Sequence, residues 1–104
     1  MVQKTDLAKV RKFKGRITPT IHVDKMFLFG SRANNKGREE SDFDILVVSS
    51  DFVGVPWYKR SVQLYLLWEE DFPLELLCYT PIEVQEARLK EGIIKEVFAT
   101  GIEV

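Results

Sequence analysis

The chain has one cysteine, Cys78, and one histidine, His22. A single thiol excludes an internal disulfide. A lone histidine far in sequence from the aspartates reads as a structural or surface residue, not a metal ligand. No apolar run approaches the ~18 residues a membrane-spanning helix needs. The N-terminus is polar and basic, and no apolar segment follows it as an export signal would require. The expectation is a cytoplasmic protein. There is no internal repeat, no low-complexity tract and no linker. What remains is 104 residues, 45% apolar and 30% charged. That is the balance of one soluble domain, residues 1–104, built around one modest core.

The net charge of −1 conceals an uneven distribution. Residues 1–38 hold ten Lys/Arg against two Asp/Glu, and residues 39–104 hold five against fourteen. A polyanion or acidic partner would meet the basic portion. Packing both portions into one domain would instead let them neutralise each other. Nucleic-acid binding through residues 1–16 ranks below the readings that follow.

Two short apolar runs dominate the centre of the chain. Met26 to Phe29 ends at Gly30-Ser31, and Ile45 to Val48 follows Asp42-Phe43-Asp44. Each is bounded by turn-type residues, so each reads as a strand. Asp42 and Asp44, two apart, share a face, and Phe43 and Ile45 take the other. Two carboxylates held close repel unless a cation lies between them or one takes a proton. Mg²⁺ suits such oxygen ligands and keeps waters and substrate phosphates as its others. Gly30 lets a phosphate approach the backbone, and Ser31 offers N–H and O–H donors. The same residues would also suit a hairpin with a Gly turn and two solvent-facing aspartates.

Gly30-Ser31, ten intervening residues, then Asp42-x-Asp44, with a strand on either side, resembles the nucleotidyltransferase superfamily of DNA polymerase beta. The short chain is most similar to its minimal nucleotidyltransferases, small proteins often paired with a helical HEPN partner. The resemblance implies a palm-like α/β (α+β) domain, a small mixed sheet of three to four strands with flanking helices. It implies transfer of a nucleoside monophosphate, from ATP by expectation, to an acceptor hydroxyl. It makes Asp42, Asp44 and Glu75 the catalytic and Mg²⁺-binding carboxylates, and Gly30, Ser31 and Arg32 the nucleotide-binding residues. The family's third carboxylate is usually Asp, so Glu75 is a departure. A HEPN ribonuclease toxin is the implied partner. The rival reading is a binding antitoxin that neutralises such a partner without catalysis.

The rest of the chain fits around this centre. Residues 3–13 read as a helix with Leu7, Val10 and Phe13 roughly on one face, Thr5 or Asp6 as its cap, and Lys14-Gly15-Arg16 as its end. Lys36 and Arg38, in the polar loop 32–41, are further phosphate candidates. Trp57 to Glu70 reads as one helix, apolar on more than one side, which suggests a partner surface or a homodimer as much as deep burial. Residues 74–79 form a third strand, in which Glu75 interrupts an apolar run and needs a reason. Thr80-Pro81-Ile82-Glu83 has the chemistry of a capping box. The helix it opens runs to about Glu91, Gly92 interrupts it, and a second helix spans about 93–100. Ile102 to Val104 is expected as an edge strand. Cys78, mid-strand with no nearby histidine, reads as core and not as a nucleophile.

Overall fold

In the computed structural model, residues 2–34 and 41–104 are described. Helix α1 spans Lys4–Ile17, so it continues beyond the expected end at Phe13. The reason is packing: Val10, Phe13 and Ile17 lie on one face and are each 0% exposed. Burying Ile17 outweighs the ~1 kcal/mol that Gly15 costs inside a helix. Gln3 is the N-cap and makes no side-chain cap, so Thr5 and Asp6 are not the cap the sequence suggested. Asp6 sits in the first turn and is buried.

Four strands form one mixed sheet in the order β3-β2-β1-β4: β1 Lys25–Phe29, β2 Phe43–Val48, β3 Leu74–Tyr79 and β4 Ile102–Glu103. Strand β1 runs antiparallel to β2 and to β4, whereas β2 and β3 are parallel. Strand residues alternate between two apolar layers. Met26, Leu28, Ile45 and Val47 pack with Val10 and Phe13 of α1. Phe27, Phe29, Leu46 and Val48 pack with Val84, Ile94 and Val97. The last three belong to α4 (Pro81–Arg88) and α5 (Ile93–Thr100). Cover on both faces explains why the central strands read as continuous apolar runs with no polar alternation. This is the expected α/β architecture.

The segment expected as one helix from Trp57 to Glu70 is instead two four-residue helices, α2 (Trp57–Arg60) and α3 (Val62–Tyr65), followed by turns. Tertiary bonds compete with helix continuation here. The Arg60 guanidinium donates to the Val55 and Cys78 carbonyls and to both oxygens of Glu83. The Tyr65 hydroxyl accepts the Leu76 N–H at 3.0 Å. Trp68 Nε1 donates to the Phe72 carbonyl at 2.7 Å. Leu64 is buried, and Leu67 and Trp68 pack against the core. Trp57, Tyr58, Val62 and Leu66 remain exposed.

The start of α4 matches its sequence signature. Thr80 accepts the Glu83 N–H, and Glu83 accepts the Thr80 N–H, with Pro81 in the first helical position. Among the described residues, no helix is long and apolar enough to cross a membrane.

Candidate active site

The pairing of strands brings three separated residues together. Phe29, the last residue of β1, is opposite Asp44. Asp44 is in turn paired with Glu75 on β3. Alternation places Asp44 on the same face as Leu46 and Val48, towards α5. Beyond Phe29 the chain turns at Gly30, whose φ is +75°. The Ala33 N–H donates to the Gly30 carbonyl at 3.2 Å and closes that turn. A Cβ on Gly30 would run into Asp44 Oδ2. Glycine is therefore required twice over, by its backbone conformation and by the carboxylate against it. Ser31 is half-buried in the same turn. Asp42, two positions before Asp44, precedes the strand and is exposed.

The acidity of Asp44 departs clearly from the ordinary. Burial is the largest cause, followed by the negative charge of Glu75, a hydrogen bond with Glu75, and the charge of Asp42, and together they raise it to about 6. Desolvation and like charge both penalise the ionised form. Asp44 therefore takes up a proton more readily than a free aspartate does. Cys78 is different: burial pushes its thiol up to about 12, and Arg60 lowers it only in part. It stays a neutral thiol, as expected of a core residue. His22, exposed, lies 3.2 Å from Asp24 and away from this site.

A cleft of about 260 Å³ opens beside the carboxylate pair, lined by Gly30, Asn34, Asp44 and Glu75 on one side. Ile93, Glu96, Val97 and Thr100 of α5 form its other wall. These helix residues follow the spacing i, i+3, i+4, i+7, so one face was legible. That this face closes the cleft depends on how α5 packs on the sheet, which sequence spacing does not encode.

Arg32 does not face the cleft. It is 7% exposed. Its Nε and Nη2 donate to the Ser41 carbonyl at 3.0 and 2.8 Å. Its Nη1 donates to Asp6 Oδ1 at 3.1 Å. The guanidinium also lies over the rings of Phe43 and Phe72, at 4.2 and 4.5 Å from their centroids. Arg32 was expected to contact phosphate, and its guanidinium makes these internal contacts. One signal pointed to them: Asp6 continues the stripe of Val10, Phe13 and Ile17, an acid on a buried face that needs a cation. Lys36 and Arg38 lie outside the described residues.

The expected metal was Mg²⁺ on Asp42, Asp44 and Glu75. Among the described residues, no group of three or more acidic, histidine or cysteine side chains is gathered closely enough to hold a metal ion. Asp44 and Glu75 do converge, and Asp42 contributes charge from the exposed side. Two carboxylates brought side by side, one of them hard to ionise, are a donor set that a hard dication fits.

Comparison with known proteins agrees with this fold. The family model described as "Polymerase beta, Nucleotidyltransferase" matches residues 12–104. A crystal structure of a candidate nucleotidyltransferase from Sulfolobus solfataricus superposes with a TM-score of 0.62 at 14% identity, covering 99% of this chain and 87% of that one. BolA1 from Arabidopsis thaliana superposes with a TM-score of 0.56 at 19% identity, covering 72% of this chain and 94% of that one. At these identities both likenesses concern the fold alone. No curated protein matches the chain. With the family model spanning nearly all of α1 to β4, the chain belongs to the polymerase beta nucleotidyltransferase family.

Proposed function

We propose that the protein transfers AMP from ATP to an acceptor hydroxyl and releases pyrophosphate. The observation that carries this reading is the Asp44–Glu75 pair set against the Gly30 turn. The acceptor oxygen attacks the α-phosphorus in line as the bond to the bridging oxygen of pyrophosphate breaks. Glu75, exposed at the strand edge, takes the hydroxyl proton. Gly30 offers open backbone, and Ser31 its N–H and O–H, to the outer phosphates. Asp44 and Glu75 would hold Mg²⁺, with Asp42 adding negative charge from the exposed side. A bound Mg²⁺ supplies the positive charge that lets the carboxylates ionise together and offsets charge on the phosphates. Arg32 serves the site from inside the fold and not by touching nucleotide.

The test is titration calorimetry of ATP into the protein with and without Mg²⁺. Mg²⁺-dependent binding that Asp42→Asn/Asp44→Asn abolishes is expected. Equal binding by that variant would overturn the assignment.

A second reading rests on the exposed aromatic and aliphatic side chains of the 57–66 segment. Trp57 is 77% and Leu66 80% exposed. Large apolar groups held in water suit a partner surface. In this reading the protein is a cytoplasmic antitoxin that binds a HEPN ribonuclease, with or without adenylylating it. A homodimer through the same face is the alternative occupant. Neutralisation of a HEPN partner by the Asp42→Asn/Asp44→Asn variant would separate binding from catalysis.

A further inference from the structure

We infer that Arg32 is a positioning residue, a buried clamp that holds the Gly30 turn, the start of β2 and the approach to β3 in one arrangement. The inference rests on the proposed transfer reaction for its functional consequence, but not for its structural one. The guanidinium touches the start of β2 and the approach to β3. Its own backbone belongs to the turn that begins at Gly30. Nε and Nη2 grip the carbonyl of Ser41, nine positions away and immediately before Asp42. Its flat faces lie against Phe43, between the two aspartates, and Phe72, which leads into β3. Asp6 holds the remaining Nη1 from α1 and supplies the opposite charge.

The Phe43 N–H donates to the Pro73 carbonyl at 2.8 Å, a bond that joins the first residue of β2 to the approach to β3. The clamp therefore acts on the segment that sets Asp42 and Asp44 against Glu75. A planar fork is what this place requires. Arginine grips one acceptor with two donors, pairs with an acid through a third, and stacks on rings. Lysine keeps the charge and loses both the fork and the stacking.

The test combines amide hydrogen exchange with Mn²⁺ titration on Arg32→Lys. In this variant the Phe43 amide is expected to exchange about tenfold faster, the scale set by loss of a hydrogen bond to a charged group. The Leu46 amide, mid-strand, should be unchanged. Mn²⁺ affinity, read from the paramagnetic signal of the free ion, should fall about tenfold. Should Arg32→Lys fail to fold, Asp6→Asn releases the anchor while keeping the guanidinium, and the same local pattern is expected.

Unchanged Phe43 exchange in a folded variant overturns the inference. So does a loss of ATP affinity with Mn²⁺ affinity intact, which would make Arg32 a phosphate ligand. Wild-type protein that binds no Mn²⁺ would remove the transfer reading. Faster Phe43 exchange in the variant would still uphold the clamp.

Discussion

Asp44 connects local geometry to pH. Its carboxyl is raised from 3.8 to about 6, first by burial and then by Glu75. A raised folded-state value means that the folded protein binds more protons than the unfolded chain between these limits. The corresponding stability is fully present below about 3.8 and is lost as pH rises through about 6. Asp44→Asn should therefore stabilise the metal-free protein at pH 7, by on the order of 1 kcal/mol once solvent screening is allowed for. It should also flatten the pH dependence between those limits, as urea midpoints would reveal. Millimolar Mg²⁺ should stabilise the wild type at pH 7 and leave Asp44→Asn unmoved. Gly30→Ala should be more damaging than its size suggests. The new methyl displaces the Asp44 carboxylate and the backbone loses an easy positive φ, so nucleotide turnover should fall about a hundredfold or more. A Gly30→Ala enzyme with ordinary turnover would show that the close approach has no part in catalysis.

At the scale of elements, legibility followed locality. The strands around Gly30 and Asp44 were readable because short apolar runs and turn residues are local signals. Glu75 stood out because a carboxylate interrupts an apolar run, and the parallel pairing brings it beside Asp44. The capping box at Thr80 needs only four consecutive residues, and it formed as written. Thr80→Ala should cost about 1 kcal/mol in denaturant unfolding. Because the box also holds Glu83 for Arg60, that loss should exceed the one from the exposed Thr18→Ala. The failures were long-range. The 57–70 segment has helical spacing, but Arg60, Tyr65 and Trp68 are drawn to partners on β3, α4 and the turn before β3. The inward turn of Arg32 depends on Asp6, 26 positions away. Motif adjacency to Ser31 pointed at phosphate, and only the packed core reveals the other destination.

For the whole molecule, the uneven charge along the chain is folded into contact. Arg16 pairs with Glu69, Lys25 with Glu103, and Arg32 with Asp6. The first two join the basic early residues to the acidic later ones; both are surface pairs, each contributing ~1 kcal/mol or less. The molecule has little interior to spare, yet it leaves Trp57, Tyr58, Val62 and Leu66 in water. Trp57→Ser combined with Leu66→Ser should change stability by no more than about 0.5 kcal/mol, as substitutions of exposed groups do. The same double variant should lose binding to a HEPN partner, or lose self-association in sedimentation if the face joins two copies. Retention of both would leave this face without a role in assembly.

The parallel join of β2 to β3 also bears on how the chain folds. Strands β1 and β2 are separated in sequence by residues 30–42, but β2 and β3 are separated by residues 49–73. Distant contacts of this kind carry a loop-closure entropy and tend to form late. Asp44 and Glu75 therefore approach each other during the slow docking step, where their mutual repulsion raises the barrier at neutral pH. A dication that binds the pair would act on the speed of refolding as well as on its end point, and the site would mature in the same event that completes the sheet.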